Sequence, residues 1–270
     1  MSEPVLGRIT VFPVKSLDPL SRERVRIVEG GSLAGDREFA LFDADGEYVN
    51  GKRNAAVHRV RSSFDPETRE IRVRAPDCPT RTFDVDDDAA RAALAGWFGD
   101  HFGEPVELRR DAAGGFPDDR TAHGPTVVGD GTLREVASWF PEIDAGEVRR
   151  RLRPNLVIEG VPPFWEDRLF EDRDHVVAFE VGGVRLYGVN PCSRCVVPTR
   201  DPTTGVSIEG FRETFVRKHR ETMPSWSGGD WFDHDYRLMV NTVVPDSERG
   251  RELSIGDPIE LVGVRSADAV

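Results

Sequence analysis

The sequence predicts an α+β fold in which strands predominate: an antiparallel β-barrel with helices, preceded by a smaller barrel-like unit. Three observations predict it. The apolar runs are short, tight-turn signals separate many of them, and regular strand–helix alternation is absent. The 270 residues are enough for one large domain or two closely packed ones.

The first hundred residues have the pattern of strands. Residues 7–14 form an apolar run that is interrupted at Pro13, and residues 23–31 alternate apolar and charged side chains. Residues 62–76 read as a hairpin. Cys78 lies between two prolines, and we predict that it belongs to a loop.

A second hairpin is predicted at residues 38–50. Its turn is Asp45-Gly46, a pair that favours the positive φ angles of a tight turn. A calcium loop is the alternative interpretation of Asp43-Ala44-Asp45-Gly46-Glu47, but the further oxygen ligands and the distant glutamate are missing. The hairpin is therefore favoured.

Helical periodicity appears at three places. In the first predicted helix, Ala90, Leu94 and Phe98 lie on one face at the spacing of an α-helix. The predicted helices cover residues 86–102, 131–140 and 209–221. Further strands are predicted at residues 154–160, 175–181, 184–190, 237–244 and 258–263, with Gly182-Gly183 as a turn.

A domain boundary is expected in residues 109–125. This segment is rich in Gly, Pro and Asp and has no periodicity. We therefore divide the chain into residues 1–115 and 116–270.

The composition indicates an acidic protein. The formal net charge is −12, and only 3 of the 36 basic residues are lysines. This suggests adaptation to high salt, because an acidic surface holds water and counter-ions. Nucleic acid is not expected as a partner. One basic cluster, residues 147–155, fits an anion site or a solvated helix end.

A cytoplasmic location is expected. The start of the chain does not look like a secretory leader, and three cysteines do not suggest a disulfide scaffold. No apolar run approaches the roughly 18–20 residues of a membrane-spanning helix, so no membrane is expected as a partner.

Cys192 and Cys195 form a Cys-x-x-Cys pair whose use is open. A structural zinc site would need further ligands at suitable spacing. A redox dithiol would open a helix, but two valines and two prolines follow Cys195 within seven positions. One thiolate could bind a metal whose other ligands come from a cofactor, and Arg194 and Arg200 would help to keep it ionised. The pair could equally be ordinary loop cysteines.

Five segments resemble the MOSC domain family (molybdenum cofactor sulfurase C-terminal domain), in its branch of amidoxime-reducing and hydroxylaminopurine-detoxifying proteins. The cysteine motif at residues 191–205 carries the closest likeness. The others, in matching order, are residues 11–17, 35–49, 152–160 and 253–263. The resemblance spans nearly the whole chain and implies an N-terminal β-barrel-like domain followed by a MOSC domain.

The resemblance implies a site for the molybdenum cofactor, with Cys195 as the catalytic ligand to molybdenum and Cys192 structural or dispensable. Molybdopterin carries a phosphate and a polar pterin, so its pocket needs cations and hydrogen-bond donors. The implied cofactor-binding residues are Lys15, Ser16, Arg37, His123, Gly124, Arg153, Asn155, Ser193 and Cys195.

The sequence departs from the family pattern at two places. Residues 122–125, Ala-His-Gly-Pro, replace an Asp-Thr-Ser-Pro-like stretch, so His123 and Gly124 stand where side-chain hydroxyls are usual. We expect His123 to contact the pterin or phosphate, with a plain surface role as the alternative. Val197-Pro198 replaces a more polar pair, which changes the rim of the substrate site.

The implied function is reduction of N-oxygenated compounds by a molybdenum-cofactor enzyme that does not use pyridoxal phosphate. This chain lacks the cysteines of a ferredoxin-type cluster, so a separate electron donor, a ferredoxin or a flavin reductase, is expected as partner. The alternative is a non-catalytic protein that carries the cofactor or its sulfur. A metal-binding β-barrel without molybdopterin is a third possibility.

Overall fold

The computed structural model describes residues 3–76, 78–119, 121–227, 231 and 234–269. Strands are the commonest regular element in this part of the chain. They are β1 (Val5–Val11), β2 (Leu20–Arg22), β3 (Arg24–Arg26), β4 (Phe39–Phe42), β5 (Arg61–Asp65), β6 (Glu70–Ala75), β7 (Cys78–Asp84), β8 (Glu107–Arg110), β9 (Val127–Gly129), β10 (Leu156–Glu159), β11 (His175–Val181), β12 (Val184–Ser193), β13 (Arg237–Val243), β14 (Glu252–Ser254) and β15 (Ile259–Ser266). The α-helices are α1 (Asp88–Phe102), α2 (Asp130–Ser138), α3 (Ala145–Leu152) and α4 (Phe211–Thr222). The mostly β, α+β class is confirmed.

The main sheet has eight strands in the order β15-β11-β12-β13-β9-β10-β1-β2. Its neighbours are antiparallel except for β9 and β10, which run parallel. The described strands form an open sheet, not a closed barrel. A single bridge between Val5 and Pro258 links β1 to the segment just before β15, so the two halves of the chain meet in one structure.

Three smaller sheets accompany the main one. They are β5-β6-β7, β4-β8 and β14-β3. The predicted hairpin at residues 62–76 is the β5-β6 pair. The predicted turn at Gly182-Gly183 joins β11 to β12, and both glycines have positive φ angles (57° and 78°), which suit a tight hairpin turn.

Helix α1 shows how local sequence sets an element's ends. The Asp87 carboxylate accepts from the Ala90 amide at the N-terminus, and Gly103 ends the helix with a left-handed φ of 76°. Leu94 and Phe98, on the face that the sequence predicts, are buried, and Trp97 is buried beside them. The predicted helix at residues 86–102 is therefore confirmed.

Cys78 corrects one prediction. It does not lie in a loop but begins β7, where it pairs with Ala75 of β6. The flanking Pro79 lacks an amide donor, but a proline is tolerated near the start of a strand at the edge of a sheet.

Three clusters of buried apolar side chains support these layers. One lies within the N-terminal half and includes Phe39 and Phe98. A second lies against the main sheet and includes Ile9 and Phe179, and a third packs α2, α3 and α4 around Phe215. The boundary at residues 115 and 116 stays a prediction, since β1 and β2 pair within the sheet that the second half builds.

Among the described residues, the helices are too short and too polar to cross a bilayer.

Candidate functional site

A cavity of about 590 Å³ lies between the two halves of the chain. Segments from both halves line it: the loop after β1, the 3-10 helix Ala55–Arg59, residues 117–119 and 122–126, the end of α3 and the cysteine motif. All nine residues that the resemblance implies as cofactor ligands line this one cavity. They are Lys15, Ser16, Arg37, His123, Gly124, Arg153, Asn155, Ser193 and Cys195. Their roles as ligands stay predictions.

The cavity is basic although the chain is acidic. Four aspartates line it, together with a larger set of cations: Lys15, Arg37, Lys52, Arg61, Arg149, Arg150, Arg151, Arg153, Arg194 and Arg200. The predicted basic cluster at residues 147–155 is both the end of helix α3 and part of this wall. Such a concentration of positive charge in a protein of net charge −12 attracts anions.

Lys15 and Arg37 share one carboxylate. Lys15 Nζ donates to Asp118 Oδ1 at 2.6 Å, and Arg37 Nη2 donates to Asp118 Oδ2 at 3.3 Å. Arg37 also donates to Asp36, whose other oxygen accepts from the Phe12 amide at 2.8 Å. Two cations therefore point into the cavity with their positions fixed by aspartates.

The charges of this group depend on one another. Burial lowers the pKa of Lys15, and Asp118 opposes that effect. The Asp118 side chain faces the cavity and is 62% exposed; its partial removal from bulk water raises its pKa, but Arg37 and Lys15 hold that pKa well below its usual range. Burial lowers the pKa of Arg37, but the nearby Asp36 and Asp118 raise it by more. The pKa is therefore above its ordinary value, and the group remains cationic.

Arg153 is placed by the end of helix α3. It is the C-cap residue in the left-handed conformation (φ 58°, ψ 49°), and its guanidinium lies 3.9 Å from the centroid of the Phe12 ring. Burial, followed by repulsion from Arg37, lowers the pKa of Arg153 to about 10. Its Nη2 atom is buried and donates to no described residue.

Cys195 lies just after β12, at the start of a tightly held loop. The neighbouring Arg194 amide donates to Tyr236 O at 2.9 Å, and Arg194 Nη2 donates to Leu152 O at 3.0 Å. The Val197 amide donates to Cys195 Sγ at 3.4 Å. The Cys195 sulfur therefore lies at the cavity wall, held by the loop backbone.

Cys192 has a different environment. Its buried Sγ donates to Asn241 Oδ1 at 2.6 Å, and burial raises the pKa of the thiol to about 12. It therefore stays protonated and bound to the β13 side chain. All three cysteines are free, so the pair forms no disulfide.

Asn155 has most of its hydrogen-bonding capacity committed to the protein. Its Oδ1 accepts from the Thr126 amide and hydroxyl, both at 3.2 Å, and its Nδ2 donates to Thr10 O at 3.0 Å. One amide hydrogen remains for a ligand. Asn155, just before β10, thus links Thr10 of β1 to Thr126, just before β9, and all three residues line the cavity.

Residues 122–125 pack against Gly31 and against Thr242 of β13. The His123 ring lies beside Gly31, where a Cβ would come within 3.0 Å of it. A Cβ on Gly124 would lie 2.6 Å from Thr242 Oγ1, so this position needs glycine because the backbone approaches β13 closely.

The two predicted serines have accessible side chains. Ser16 lies in the turn after β1 with a positive φ of 73°, and Ser193 is exposed at the end of β12. Ser193 pairs with Arg237 across the sheet, and this extends β12 three residues beyond the predicted end.

Among the wall residues that sequence reasoning missed are His58, Arg61 and Asp118. Asp118 lies in residues 109–125, where the composition indicates only a domain boundary. No spacing in the sequence connects these residues with the cysteine motif, because tertiary packing alone brings them together.

The residues present fit an anionic cofactor with a soft metal. Four buried guanidinium nitrogens on this wall donate to no described residue: Arg61 Nε, Arg153 Nη2, Arg194 Nε and Arg200 Nε. Buried donors without acceptors are rare, so a ligand with several acceptor oxygens suits them. Within the described chain, no cluster of three or more His, Cys, Asp or Glu side chains could hold a metal by protein ligands alone.

Comparison with known families finds two matches in series. Residues 4–112 match the MOSC N-terminal beta barrel domain, and residues 132–260 match the MOSC domain.

Three individual proteins show how distant the similarity is. Mitochondrial amidoxime-reducing component 1 of Homo sapiens is 21% identical over 298 residues, covering 96% of this chain and 83% of the relative. The molybdenum cofactor sulfurase of Caenorhabditis briggsae is 23% identical over 227 residues, covering 75% of this chain but 30% of the relative. The structure of the YUAD protein from Bacillus subtilis aligns with a TM-score of 0.42 at 12% identity, over 98% of this chain and 97% of that one. From its two domain matches, this chain belongs to the MOSC family, with a MOSC N-terminal beta barrel domain ahead of the MOSC domain.

Proposed function

We propose that this protein binds the molybdenum cofactor, with Cys195 as its ligand to the metal, and reduces N-oxygenated compounds. The substrate class is N-hydroxylated bases, hydroxylamines or amidoximes. The observation that carries the proposal is the single cavity that joins Cys195 to a wall of cations with unsatisfied donors. The amidoxime-reducing relative, aligned over nearly the whole chain, supports this choice of reaction.

Three basic residues would hold the anionic part of the cofactor. Lys15 and Arg37 are kept in place by Asp118, and Arg153 presents a buried Nη2 that lacks an acceptor. When bound, the cofactor supplies a two-electron metal centre able to take oxygen from nitrogen. The protein supplies position and charge, and Cys195 supplies the thiolate.

The environment of the two cysteines separates their roles. Cys195 is a free, half-buried cysteine that lines the cavity, and its Sγ accepts from the Val197 amide. Burial keeps Cys192 protonated, with its pKa at about 12, and its hydrogen bond to Asn241 holds it on β13. Cys192 therefore does not compete for the metal.

The electrons would come from a separate protein, of the ferredoxin or flavin reductase class. With Cys195 committed to molybdenum, two cysteines remain in this chain, fewer than the four thiolates that usually hold an iron–sulfur cluster.

Reductase assays with matched cysteine variants test this proposal. The purified protein is expected to contain molybdenum and pterin and to reduce an N-hydroxylated base with a chemical reductant. Cys195→Ala should abolish turnover, whereas Cys192→Ala should keep much of it. Cys78→Ala, in β7 outside the cavity, controls for the loss of a thiol.

Two outcomes would overturn the proposal. Full activity of Cys195→Ala would remove the ligand assignment. A metallated protein that reduces no N-hydroxylated compound but passes its cofactor to an apo-enzyme would support the carrier alternative instead.

A further inference from the structure

We propose that the cavity holds a second anion subsite, formed by Arg200 with Arg61 and His58, that binds a phosphate group on the substrate. We name these three residues the loop subsite. It would make N-hydroxylated nucleotides preferred over the free bases. This inference rests on the proposed function, because it concerns the substrate of that same site.

Arg200 contributes to the loop subsite a guanidinium nitrogen, Nε, that has no acceptor among the described residues. It follows Cys195 by five positions and ends the 3-10 helix Val197–Thr199. Its Nη1 donates to Gly205 O at 3.2 Å, while its Nε is buried and donates to no described residue. A guanidinium with an open Nε side can bind an oxyanion with directed, charge-assisted hydrogen bonds.

Arg61 brings a second open donor to the same loop from the N-terminal half. Its Nη2 donates to Pro202 O at 3.2 Å and to His58 O, and its Nη1 pairs with Asp18 at 2.9 Å. The Arg61 Nε atom is also buried without a described acceptor. Contacts on three sides therefore hold this guanidinium with one donor unused.

His58 lines the cavity and contacts both Arg61 and the loop that follows Arg200. A Cβ on Gly205 would lie 3.2 Å from His58 Cβ, so the loop packs directly on this residue. Burial, with repulsion from Arg200, Arg153 and Arg61, lowers the pKa of His58. An uncharged imidazole next to several guanidiniums leaves their positive charge free to act on a ligand.

The charge balance separates the loop subsite from the group around Lys15. Asp118 offsets the charges of both Lys15 and Arg37, and Asp36 pairs with Arg37 in addition. Asp18 offsets Arg61, but Arg200 forms no ion pair with any described carboxylate. Arg200 is half-buried, and a cation without a fixed carboxylate partner at a cavity wall is suited to a mobile anion.

A phosphomonoester is the anion that fits best. Its dianion matches a wall where cations outnumber carboxylates, and it presents several acceptor oxygens to the Nε donors. At about 590 Å³, the cavity is within the usual range of small-ligand sites. The substrate class is therefore a nucleotide whose base carries the N–O group.

Calorimetric titration tests binding without relying on turnover. The probes are adenosine 5′-monophosphate and adenosine, titrated into the protein as purified. We expect the nucleotide to bind more tightly than the nucleoside to the wild type. Arg200→Gln should weaken nucleotide binding about 10- to 100-fold, the contribution of one or two hydrogen bonds to a charged group, and leave adenosine binding nearly unchanged.

Three further variants keep the result interpretable. Arg200→Lys keeps the charge without the Nε donor and should give an intermediate loss. Arg217→Gln, exposed on α4 and outside the cavity, should bind like the wild type. Arg37→Gln reports on the cofactor group: if it abolishes nucleotide binding while Arg200→Gln has no effect, the phosphate occupies the cofactor site and the proposal is wrong.

Kinetics then separate this inference from the function on which it rests. We expect kcat/KM for N-hydroxyadenosine 5′-monophosphate to exceed that for N-hydroxyadenosine, and Arg200→Gln to remove the difference. Equal kcat/KM for both substrates, or equal affinity for both probes, would overturn the loop subsite but leave the reductase in place. Arg200-dependent nucleotide binding without turnover would overturn the reductase alone.

Discussion

At the residue scale, the resemblance predicted which side chains gather at the cavity but not what holds them. All nine predicted residues line it, although they come from widely separated positions. Asp118, which fixes Lys15 and Arg37, has no signal of its own in a segment rich in Gly, Pro and Asp. An aspartate among many is recognised only when packing places it beside the cations.

Asn155 illustrates how a predicted ligand can also be structural. Its side chain bonds Thr10 and Thr126 and is 2% exposed. We predict that Asn155→Ala lowers the free energy of unfolding by about 2 to 3 kcal/mol, because it leaves buried donors and acceptors unpaired. Denaturant unfolding measures this loss. An unchanged unfolding midpoint would show that the hydrogen bonds of Asn155 to Thr10 and Thr126 do not contribute to stability.

At the element scale, periodicity predicted the helices and strands well, and the exceptions have physical causes. Helix α3 was not predicted as a separate helix, because its run of arginines hides an apolar face of only Val148 and Leu152. Strand β12 continues through Pro191, a residue that usually ends a strand, because register shifts on both sides accommodate it.

The 3-10 helix Trp165–Leu169 carries a buried carboxylate that links it to α2. Glu166 is fully buried, and its Oε2 accepts from the Gly129 amide at 3.2 Å and from Thr132 Oγ1 at 2.7 Å. Burial, with the charge of Asp167, raises the pKa of Glu166 to about 8. Its Oε1 is buried without a described partner.

This raised pKa predicts a loss of stability at alkaline pH. In the unfolded chain Glu166 ionises near the ordinary glutamate pKa of 4.5, whereas in the folded chain it stays protonated up to about pH 8. The folded state then binds more protons over this range, so the free energy of unfolding falls as the pH rises through it. The contribution is fully present only below the unfolded pKa.

The variant Glu166→Gln tests this prediction. A neutral side chain of the same shape should make the protein more stable than the wild type at about pH 9, by on the order of 4 kcal/mol, and change it far less at about pH 5. Thermal unfolding at both pH values gives the difference. Glu221→Gln, exposed on α4, is the control. A Glu166→Gln effect that is equal at both pH values would contradict the assigned protonation.

At the scale of the whole molecule, the sequence predicted a mostly β chain but could not predict how its halves join. Strand β1 lies beside β10, and β3 pairs with β14, across more than a hundred residues. The sequence of a short strand does not identify a partner that lies so far away along the chain. The prediction of antiparallel pairing also fails at one place, because β9 and β10 are parallel.

The acidic composition predicts a stability that increases with salt. With a formal net charge of −12, repulsion between surface carboxylates opposes the compact state at low ionic strength. Raising KCl from about 0.1 M to about 1 M shortens the screening length from about 10 Å to about 3 Å. We expect the thermal midpoint to rise by roughly 3 to 6 °C. A midpoint that stays constant or falls would argue against adaptation to high salt.

The central claim is that Cys195 binds molybdenum, and X-ray absorption at the molybdenum edge tests it most directly. The wild type and Cys78→Ala should show the same sulfur coordination around the metal. Cys195→Ser should show one sulfur ligand fewer, because the serine oxygen cannot replace a soft thiolate donor without changing the spectrum. An unchanged sulfur coordination in Cys195→Ser, with molybdenum still bound, would contradict the claim.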